Sequence, residues 1–201
     1  REYYINDAGR QIDILTASVI LKLISKDIDN YFPTNAYKGD YIEKICKKFN
    51  KKIIFNFDNK SLQKKNYKDP EKEIDQVIII LKDSNKENWN LIKEFSLNEM
   101  ILSIKSDLKK FNVSFDRWFK ETSLGSLDEK SSQISNSINI LTENGSTYEK
   151  DGAIWLNTEI SNDDKHRVLI RDNGKATYFA SDVAYHKNKV DRGFDKLINV
   201  W

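Results

Sequence analysis

Hydrophobic positions follow two different periods along the chain, and together they predict strands and helices that alternate at both ends. Residues 3–5 form an apolar run typical of a strand, and residues 6–9 supply a cap residue and a tight turn. Apolar residues then recur at helical spacing through Leu23. Near the other end, Ser181 or Asp182 begins a predicted helix, and residues 197–201 form a predicted final strand. This alternation indicates an α/β fold.

The region between these ends reads as mostly helical. Pro33 closes the first helical region, Asp40 begins a second helix, and Asp69-Pro70 provides an N-cap and a proline at the first position of a third. A fourth helix closes at Phe111, whereas residues 50–68 are rich in Lys and Asn and predict an exposed insertion. We therefore expect residues 33–111 to form a mainly helical insertion outside the sheet.

After this insertion the pattern becomes mixed. Val113 and Phe115, with Arg117 as an optional third position, predict a strand, and apolar positions from Ile134 to Leu141 predict a helix that ends at Asn144-Gly145. Extended runs follow at residues 153–156, 168–171 and 177–179, and Asn173-Gly174 between the last two predicts a hairpin. We expect Ile5, Phe115 and Val200 to lie on strands of one parallel-type sheet.

The predicted organisation has five parts. These are residues 1–32, the first part of the α/β fold; 33–111, the helical insertion; 112–121, a sheet strand; 122–176, a connective insertion with a helix and a β-hairpin; and 177–201, the return to the α/β fold.

Composition narrows the class of protein. The 201 residues carry 33 Lys and Arg against 31 Asp and Glu, so the net charge of +2 does not predict the strong phosphate affinity of a dedicated nucleic-acid binder. Cys46 is the single cysteine, which excludes an internal disulfide and a cysteine-based zinc site and fits a reducing compartment. No apolar run approaches the roughly 20 residues of a membrane span. We expect a soluble, cytoplasmic protein without a membrane partner.

Common catalytic motifs are missing from the sequence. Its seven glycines are scattered, which argues against a dinucleotide fingerprint or a P-loop. His166 and His186 lie twenty residues apart with no cysteine nearby, so no metal site is predicted. Cys46, on a Lys-rich amphipathic helix, is more typical of a small core residue than of a nucleophile. Because the chain begins with Arg1 and ends in an apolar run, we interpret it as an internal segment of a longer protein.

Four strings, in matching order and spacing, carry a resemblance to a known family. They are Arg1–Ile12, Tyr37–Ile42, Phe115–Glu121, and a long fourth string that comprises residues 151–155, 167–171, 177–186, 192–195 and 198–201. Together they resemble the catalytic domain of arginyl-tRNA synthetase of the bacterial type, a class I aminoacyl-tRNA synthetase.

The resemblance implies a fold and a reaction. The fold would be the Rossmann-like (HUP-type) parallel sheet of class I synthetases, interrupted by a helical insertion and a β-hairpin insertion. Residues 1–32 would then be the first part of a nucleotide-binding fold, and residues 177–201 the return to it. The reaction would join L-arginine to ATP, with Mg²⁺ accompanying the nucleotide, and pass the arginyl group to tRNA(Arg); the oligomeric state would be a monomer. The family's His-x-Gly-His and Lys-Met-Ser-Lys-Ser-type signatures do not occur in this sequence. We therefore expect no catalytic residue within the chain and no activity from the chain alone.

The resemblance also implies an arginine pocket formed by Glu121, Tyr178 and Asp182. A guanidinium is planar and always charged, so a selective pocket needs carboxylates with an aromatic or hydroxyl wall. Tyr178 and Asp182 share one helix face if the helix starts by Tyr178. The structural alternatives are that Glu121 is a solvated acid at a strand end and that Asp182 only caps a helix.

Asn6, Asp7, Gly9 and Gln11 have two interpretations that we weigh equally. They form either a capped turn between strand and helix, with Gln11 exposed, or active-site support at the carboxyl end of a parallel strand, where ligands bind in such sheets. For the protein as a whole, the alternatives to arginyl-tRNA synthetase are another class I synthetase and a non-catalytic synthetase-like module that binds RNA or has a regulatory role.

Overall fold

The computed structural model describes residues 1–25, 31–52, 54, 62, 69–158 and 165–200. Its contacts divide the chain into two compact units. The helical unit comprises Arg1 and Asp7–Asp116, and the α/β unit comprises Glu2–Asn6 and residues 117–200. The first helix belongs to the helical unit, whereas the sequence pattern had grouped residues 1–32 with the strands.

Four helices build the helical unit. They are α1 (Arg10–Leu23), α2 (Asp40–Lys48), α3 (Pro70–Ser84) and α4 (Lys86–Lys110). The predicted starts at Asp40 and Pro70 are confirmed, and the Asp69 carboxylate accepts a hydrogen bond of 3.0 Å from the backbone N–H of Glu71. Gly9 is the N-cap of α1 at φ +83°, a left-handed conformation that favours glycine.

Helix α1 forms the centre of this unit. Nine consecutive or near-consecutive positions from Ile12 to Leu21 are buried, so its apolar residues face neighbours on nearly every side. Two buried hydroxyls keep their hydrogen bonds: Thr16 Oγ1 donates to the carbonyl of Ile12 at 2.8 Å, and Ser18 Oγ donates to that of Ile14 at 2.7 Å. The buried hydroxyls of α1 are thus satisfied within the helix, and the core around it is largely aliphatic, with the buried ring of Trp89.

Most of the predicted exposed insertion, residues 50–68, lies outside the described residues. Of its described positions, Ile54 is 57% exposed, whereas Leu62 is only 1% exposed and belongs to the aliphatic core. The expectation of exposure is therefore wrong at Leu62, because this leucine fills core space rather than facing water.

The α/β unit contains five strands and two α-helices among its described residues. They are β1 (Glu2–Ile5), β2 (Arg117–Lys120), α5 (Gln133–Glu143), β3 (Thr147–Lys150), β4 (Ala153–Leu156), β5 (Arg167–Ile170) and α6 (Tyr178–Asp191). A short 3₁₀ helix, Glu121–Leu124, follows β2. β1 and β2 pair in parallel, with Tyr4 opposite Phe119 and Ile5 opposite Lys120. The chain is thus a mixed α/β protein with a parallel strand pair and a helical part, as predicted at that level.

A three-stranded antiparallel sheet of order β3-β4-β5 lies in the same unit. β3 was missed by the sequence pattern; it joins β4 through Asp151 and Gly152, both at positive φ (51° and 75°), as a two-residue hairpin turn requires. The turn predicted at Asn173-Gly174 exists, but only one bridge, Ile170 with Ala176, extends it. The predicted strand at residues 177–179 is wrong, because the helix α6 begins at Tyr178.

The expected sheet of Ile5, Phe115 and Val200 is only partly correct. Ile5 lies on β1, but β2 starts two residues after Phe115, where Arg117 meets Glu2. Val200 lies on no strand and is 92% exposed, because no strand among the described residues runs beside it to complete its backbone hydrogen bonds. None of the helices that the structure describes is long and apolar enough to cross a membrane.

Candidate functional site

The carboxyl ends of the parallel pair bring two polar residues to one edge of the sheet. Because Ile5 pairs with Lys120, the next residues along each strand, Asn6 and Glu121, leave the pair at the same edge. Ligands bind at this edge in parallel sheets, since the strands end there and the following loops open a crevice. The α/β unit therefore offers a binding edge formed by its own two chain segments.

Glu121 is not a solvated acid. Its side chain is at the first position of the 3₁₀ helix, and the residue is only 8% exposed. A buried carboxylate costs free energy unless hydrogen bonds or opposite charges compensate it. The solvated strand-end alternative for Glu121 is therefore wrong.

Helix α6 presents the other two predicted residues. Its N-cap is Thr177, whose hydroxyl donates to the carbonyl of Val168 at 2.7 Å and accepts from the N–H of Ala180 at 3.3 Å. Asp182 consequently lies inside the helix, and the alternative that it caps the helix is wrong. Tyr178 is the first helical residue and is 64% exposed, so it shares a face with Asp182 at the predicted four-residue spacing.

Tyr4 is influenced by both Glu121 and Asp182. Burial raises the pKa of its hydroxyl; the negative charges of Glu121 and Asp182, together with a hydrogen bond to Glu121, raise it further. Its ring lies 4.6 Å from that of Tyr185 and 6.1 Å from that of Phe119, centroid to centroid. The Tyr4 hydroxyl is therefore hydrogen-bonded to Glu121 and lies within the electrostatic reach of Asp182.

The electrostatics around Asp182 favour a cation. Burial raises the pKa of this carboxyl, and His186 and Lys189, further along α6, offset part of that rise. In the part of the chain that the structure describes, the Asp182 carboxylate has no side-chain hydrogen bond or ion pair. Burial also lowers the pKa of His186, aided by the charge of Lys189, so the imidazole loses its proton more readily than usual. A cation bound next to Asp182 would directly lower the free-energy cost of ionising its carboxyl.

A network on Glu2 fastens the far end of α6 to β1. The Glu2 carboxylate accepts hydrogen bonds from Tyr185 Oη at 2.6 Å and from the two terminal nitrogens of Arg192 at 2.8 and 2.9 Å. Arg117 Nε lies 3.3 Å away. Burial alone would raise the pKa of Glu2, but the hydrogen bonds of Arg192 and Tyr185 and the two positive charges lower it below its ordinary value.

The remaining predicted residues are distributed over both units. Asn6 is exposed at the end of β1, in the α/β unit. In the helical unit, Asp7 is buried at 4% exposure, Gly9 caps α1, and Gln11 is exposed in its first turn. Capping by Gly9 and the exposure of Gln11 agree with the turn interpretation, while the exposure of Asn6 leaves it accessible to a ligand.

The structure also describes the surroundings of the Cys46 thiol and the side chains that could bind a metal ion. Burial raises the pKa of the Cys46 thiol to about 11, so it is protonated at neutral pH and packs beside the aliphatic core. Among the described residues, no group of three or more His, Cys, Asp or Glu side chains is arranged to hold a metal ion.

Sequence reasoning missed Glu2, Tyr4, Tyr185 and Arg192. One signal could have found the first two: strand residues alternate between faces, so Glu2 and Tyr4 share a face of β1, and Tyr185 contacts both. The pairing with Arg192 joins residues 190 positions apart, which no local pattern reveals.

Comparison with known proteins finds relatives along the whole chain. The arginine--tRNA ligase of Oceanobacillus iheyensis is 43% identical over 204 residues, covering 100% of this chain and 32% of the relative. That of Aquifex aeolicus is 38% identical over 214 residues, covering 100% of this chain and 36% of the relative. No family model matches the chain. The chain thus spans about a third of the length of the curated relatives it matches.

A solved structure agrees with these relatives. An arginyl-tRNA synthetase from Campylobacter jejuni superimposes with a TM-score of 0.69 at 28% sequence identity, covering 100% of this chain and 38% of that protein. The resemblance carried by the four strings is confirmed by both comparisons, since each aligns the entire chain with proteins of that name.

Proposed function

We propose that this chain, homologous along its whole length to arginine--tRNA ligases, forms the side of their active site that holds the arginine side chain. The complete protein would couple ATP to the activation of L-arginine and transfer the arginyl group to tRNA(Arg). In this proposal β1 and β2 belong to the Rossmann-like sheet of a class I synthetase. Their parallel pairing and the acids at their carboxyl edge support that placement.

One observation carries the proposal: Glu121 and Asp182 both act on the Tyr4 hydroxyl, within a partly buried place. Both acids are costly to ionise in a partly buried place, and a cation bound near them lowers that cost. A guanidinium suits the place because it is always charged and offers five donors in one plane.

The third predicted residue, Tyr178, would complete the wall. Its ring is exposed one turn before Asp182, where it can lie along the flat face or accept a hydrogen bond at its hydroxyl. Lysine would fit less well, because its ammonium is a compact charge that cannot engage two separate carboxylates with a planar fork.

The proposal assigns no residue of this chain to the binding of ATP, Mg²⁺ or tRNA. Mg²⁺ commonly binds through substrate phosphates with few protein ligands, which fits the lack of any metal-holding cluster among the described residues. The phosphate-binding signatures of the family are missing from the sequence. We therefore expect the 201-residue chain alone to form no arginyl-tRNA above a blank without enzyme.

The proposal is tested in the complete protein with Asp182→Ala. Loss of a charge-assisted contact in a partly buried site costs on the order of 2–4 kcal/mol. This corresponds to roughly 30- to 1000-fold in kcat/KM for arginine. Tyr178→Phe should cost less, since only a neutral hydroxyl is lost. Steady-state kinetics with arginine varied at saturating ATP and tRNA measure both.

Asp191→Ala is the matched control, since Asp191 ends the same helix in an exposed pair with Lys187. It should leave kcat/KM for arginine unchanged, and the KM for tRNA should stay constant in all variants. If Asp182→Ala stays within twofold of wild type, the pocket assignment is wrong. If the complete protein forms no arginyl-tRNA at all, the non-catalytic module is favoured instead.

A further inference from the structure

Helix α6 is held at both ends by different means. Thr177 bonds its first turn to β5, and the carboxylate of Glu2 on β1 accepts hydrogen bonds from Tyr185, in the second half of the helix, and from Arg192, its C-cap residue. Asp182 lies between these two attachments, in the second turn. Its position relative to β1 and β2 is therefore set partly by the attachment at Glu2.

The Glu2 attachment is unusually specific for a position at the start of a strand. Arg192 uses both terminal nitrogens on the two oxygens of Glu2, a bidentate geometry that fixes distance and orientation together. The side chain of Glu2 is only 16% exposed and that of Arg192 23% exposed. The pair is thus less screened by water than the surface ion pairs of the helical unit.

Tyr185 connects this attachment to the pocket. Its hydroxyl donates to Glu2, while its ring packs 4.6 Å from that of Tyr4 and 4.7 Å from that of Phe119. The negative charges of Glu121 and Asp182 in turn raise the pKa of the Tyr4 hydroxyl. A displacement at Glu2 would therefore reach the two carboxylates through one intervening layer of rings.

We propose that Glu2, together with Tyr185 and Arg192, positions Asp182 for the guanidinium of arginine by clamping α6 to β1. The inference rests on the proposed function and extends it to residues that do not touch the substrate. These three are positioning residues: they act through the placement of α6. Misplacement of a binding group by about 1 Å can cost on the order of a hundredfold in rate.

The test uses Glu2→Gln in the complete protein, alone and combined with Asp182→Ala. Alone, the variant should lower kcat/KM for arginine by about ten- to a hundredfold, mainly through KM, with the KM for ATP within twofold of wild type. In the Asp182→Ala background the same change should lower kcat/KM by less than twofold. The group that Glu2 positions is then already absent.

Two further variants keep the test decisive. Tyr185→Phe removes one hydroxyl and should lower kcat/KM for arginine by less than Glu2→Gln does. This loss should also shrink in the Asp182→Ala background. The variant takes the place of Glu2→Gln in the test if Glu2→Gln folds poorly. Glu149→Gln makes the same chemical change at an exposed position of β3 and should leave all kinetic constants unchanged.

Three results would overturn the inference. The first is that Glu2→Gln and Tyr185→Phe both keep kcat/KM for arginine within twofold of wild type. The second is that their effects are equally large with and without Asp182, which is what a purely structural role predicts. The third is that the KM for ATP rises as much as that for arginine. Failure of the pocket itself is recognised separately, because Asp182→Ala would then leave arginine kinetics unchanged.

Discussion

The helical unit and the α/β unit differ in what surrounds their charged side chains. In the helical unit, the ion pairs surround a largely aliphatic core and each keeps at least one well-exposed partner: Arg10 with Asp75, Lys22 with Glu43, Lys48 with Glu99, and Lys82 with Asp13. In the α/β unit, Glu2 and Glu121 are largely buried beside stacked aromatic rings. The helical unit also buries an acid, Asp7, just before α1, but its core around α1 is largely aliphatic, whereas the α/β unit places Glu2 and Glu121 against its aromatic rings.

This difference indicates that the buried acids of the α/β unit serve function rather than stability. Burying acids is costly, and a core of aliphatic residues would be at least as stable. The α/β unit accepts the cost at the edge of its parallel strands, where Asp182 and Glu121 have the chemistry for a bound cation. The helical unit shows no such group on α1, its most buried helix, where the buried hydroxyls bond within the helix.

The largest expected effect tests whether the helical unit depends on its aliphatic core. Ile74 and Ile79 both lie on α3, but Ile74 is 0% exposed and Ile79 is 48% exposed. Ile74→Ala should lower the free energy of unfolding by about 2–5 kcal/mol through lost burial and the cavity left behind. Ile79→Ala should change it by less than about 0.5 kcal/mol. If urea unfolding shows equal losses of unfolding free energy for the two variants, the stability of the helical unit does not depend on its buried aliphatic residues.

An intermediate effect is expected from the buried acid Glu2. Glu2→Gln should lower the free energy of unfolding by about 1.5–3 kcal/mol at pH 7, because charge-assisted hydrogen bonds from Arg192 and Tyr185 weaken. The pKa of Glu2 is lowered from 4.5 by folding, so its stabilising effect is present above that value and is lost as the pH falls through the lower native pKa. Urea unfolding at several pH values measures this.

The pH dependence supplies the control for that variant. The difference in stability between wild type and Glu2→Gln should be constant from pH 6 to 8 and shrink once the pH falls below 4.5. A difference that is independent of pH would mean that packing, and not the charge, stabilises this region.

The smallest effect is expected at the surface of the helical unit. Lys22 and Glu43 form an ion pair of 3.0 Å, with side chains 43% and 52% exposed. Lys22→Met should leave the thermal midpoint unchanged within error in moderate salt, because exposed pairs are screened. A clear loss of stability that salt removes would show that the helical unit also depends on its charges.

The fold was most predictable where local chemistry decides the structure. Asp69-Pro70 fixed a helix start, because the cap and the proline act within three residues. The strand predicted at Thr177 to Phe179 is wrong, because the hydroxyl of Thr177 caps α6 and bonds to β5, and these contacts override the strand propensity of the three residues. The Asp151-Gly152 turn was a local signal that the pattern analysis passed over, and β3 was missed with it.

The candidate site was predictable only in part for a similar reason. Glu121, Tyr178 and Asp182 come from short strings that resemble a family. Their chemistry also suits a guanidinium. The residues that we propose position Asp182 include Glu2 and Arg192, which are joined across 190 positions, and sequence periodicity carries no information about such contacts. Tyr4 is a further case, because its role depends on the register of β1 with β2.

A crystal structure of the complete protein with L-arginine bound tests the central claim most directly. We predict that guanidinium nitrogens lie about 2.7–3.2 Å from carboxylate oxygens of both Glu121 and Asp182, the range of charge-assisted hydrogen bonds. The ring of Tyr178 should line the same pocket, and the Glu2–Arg192 pair should be intact. Arginine bound with its guanidinium in contact with neither carboxylate would contradict the account.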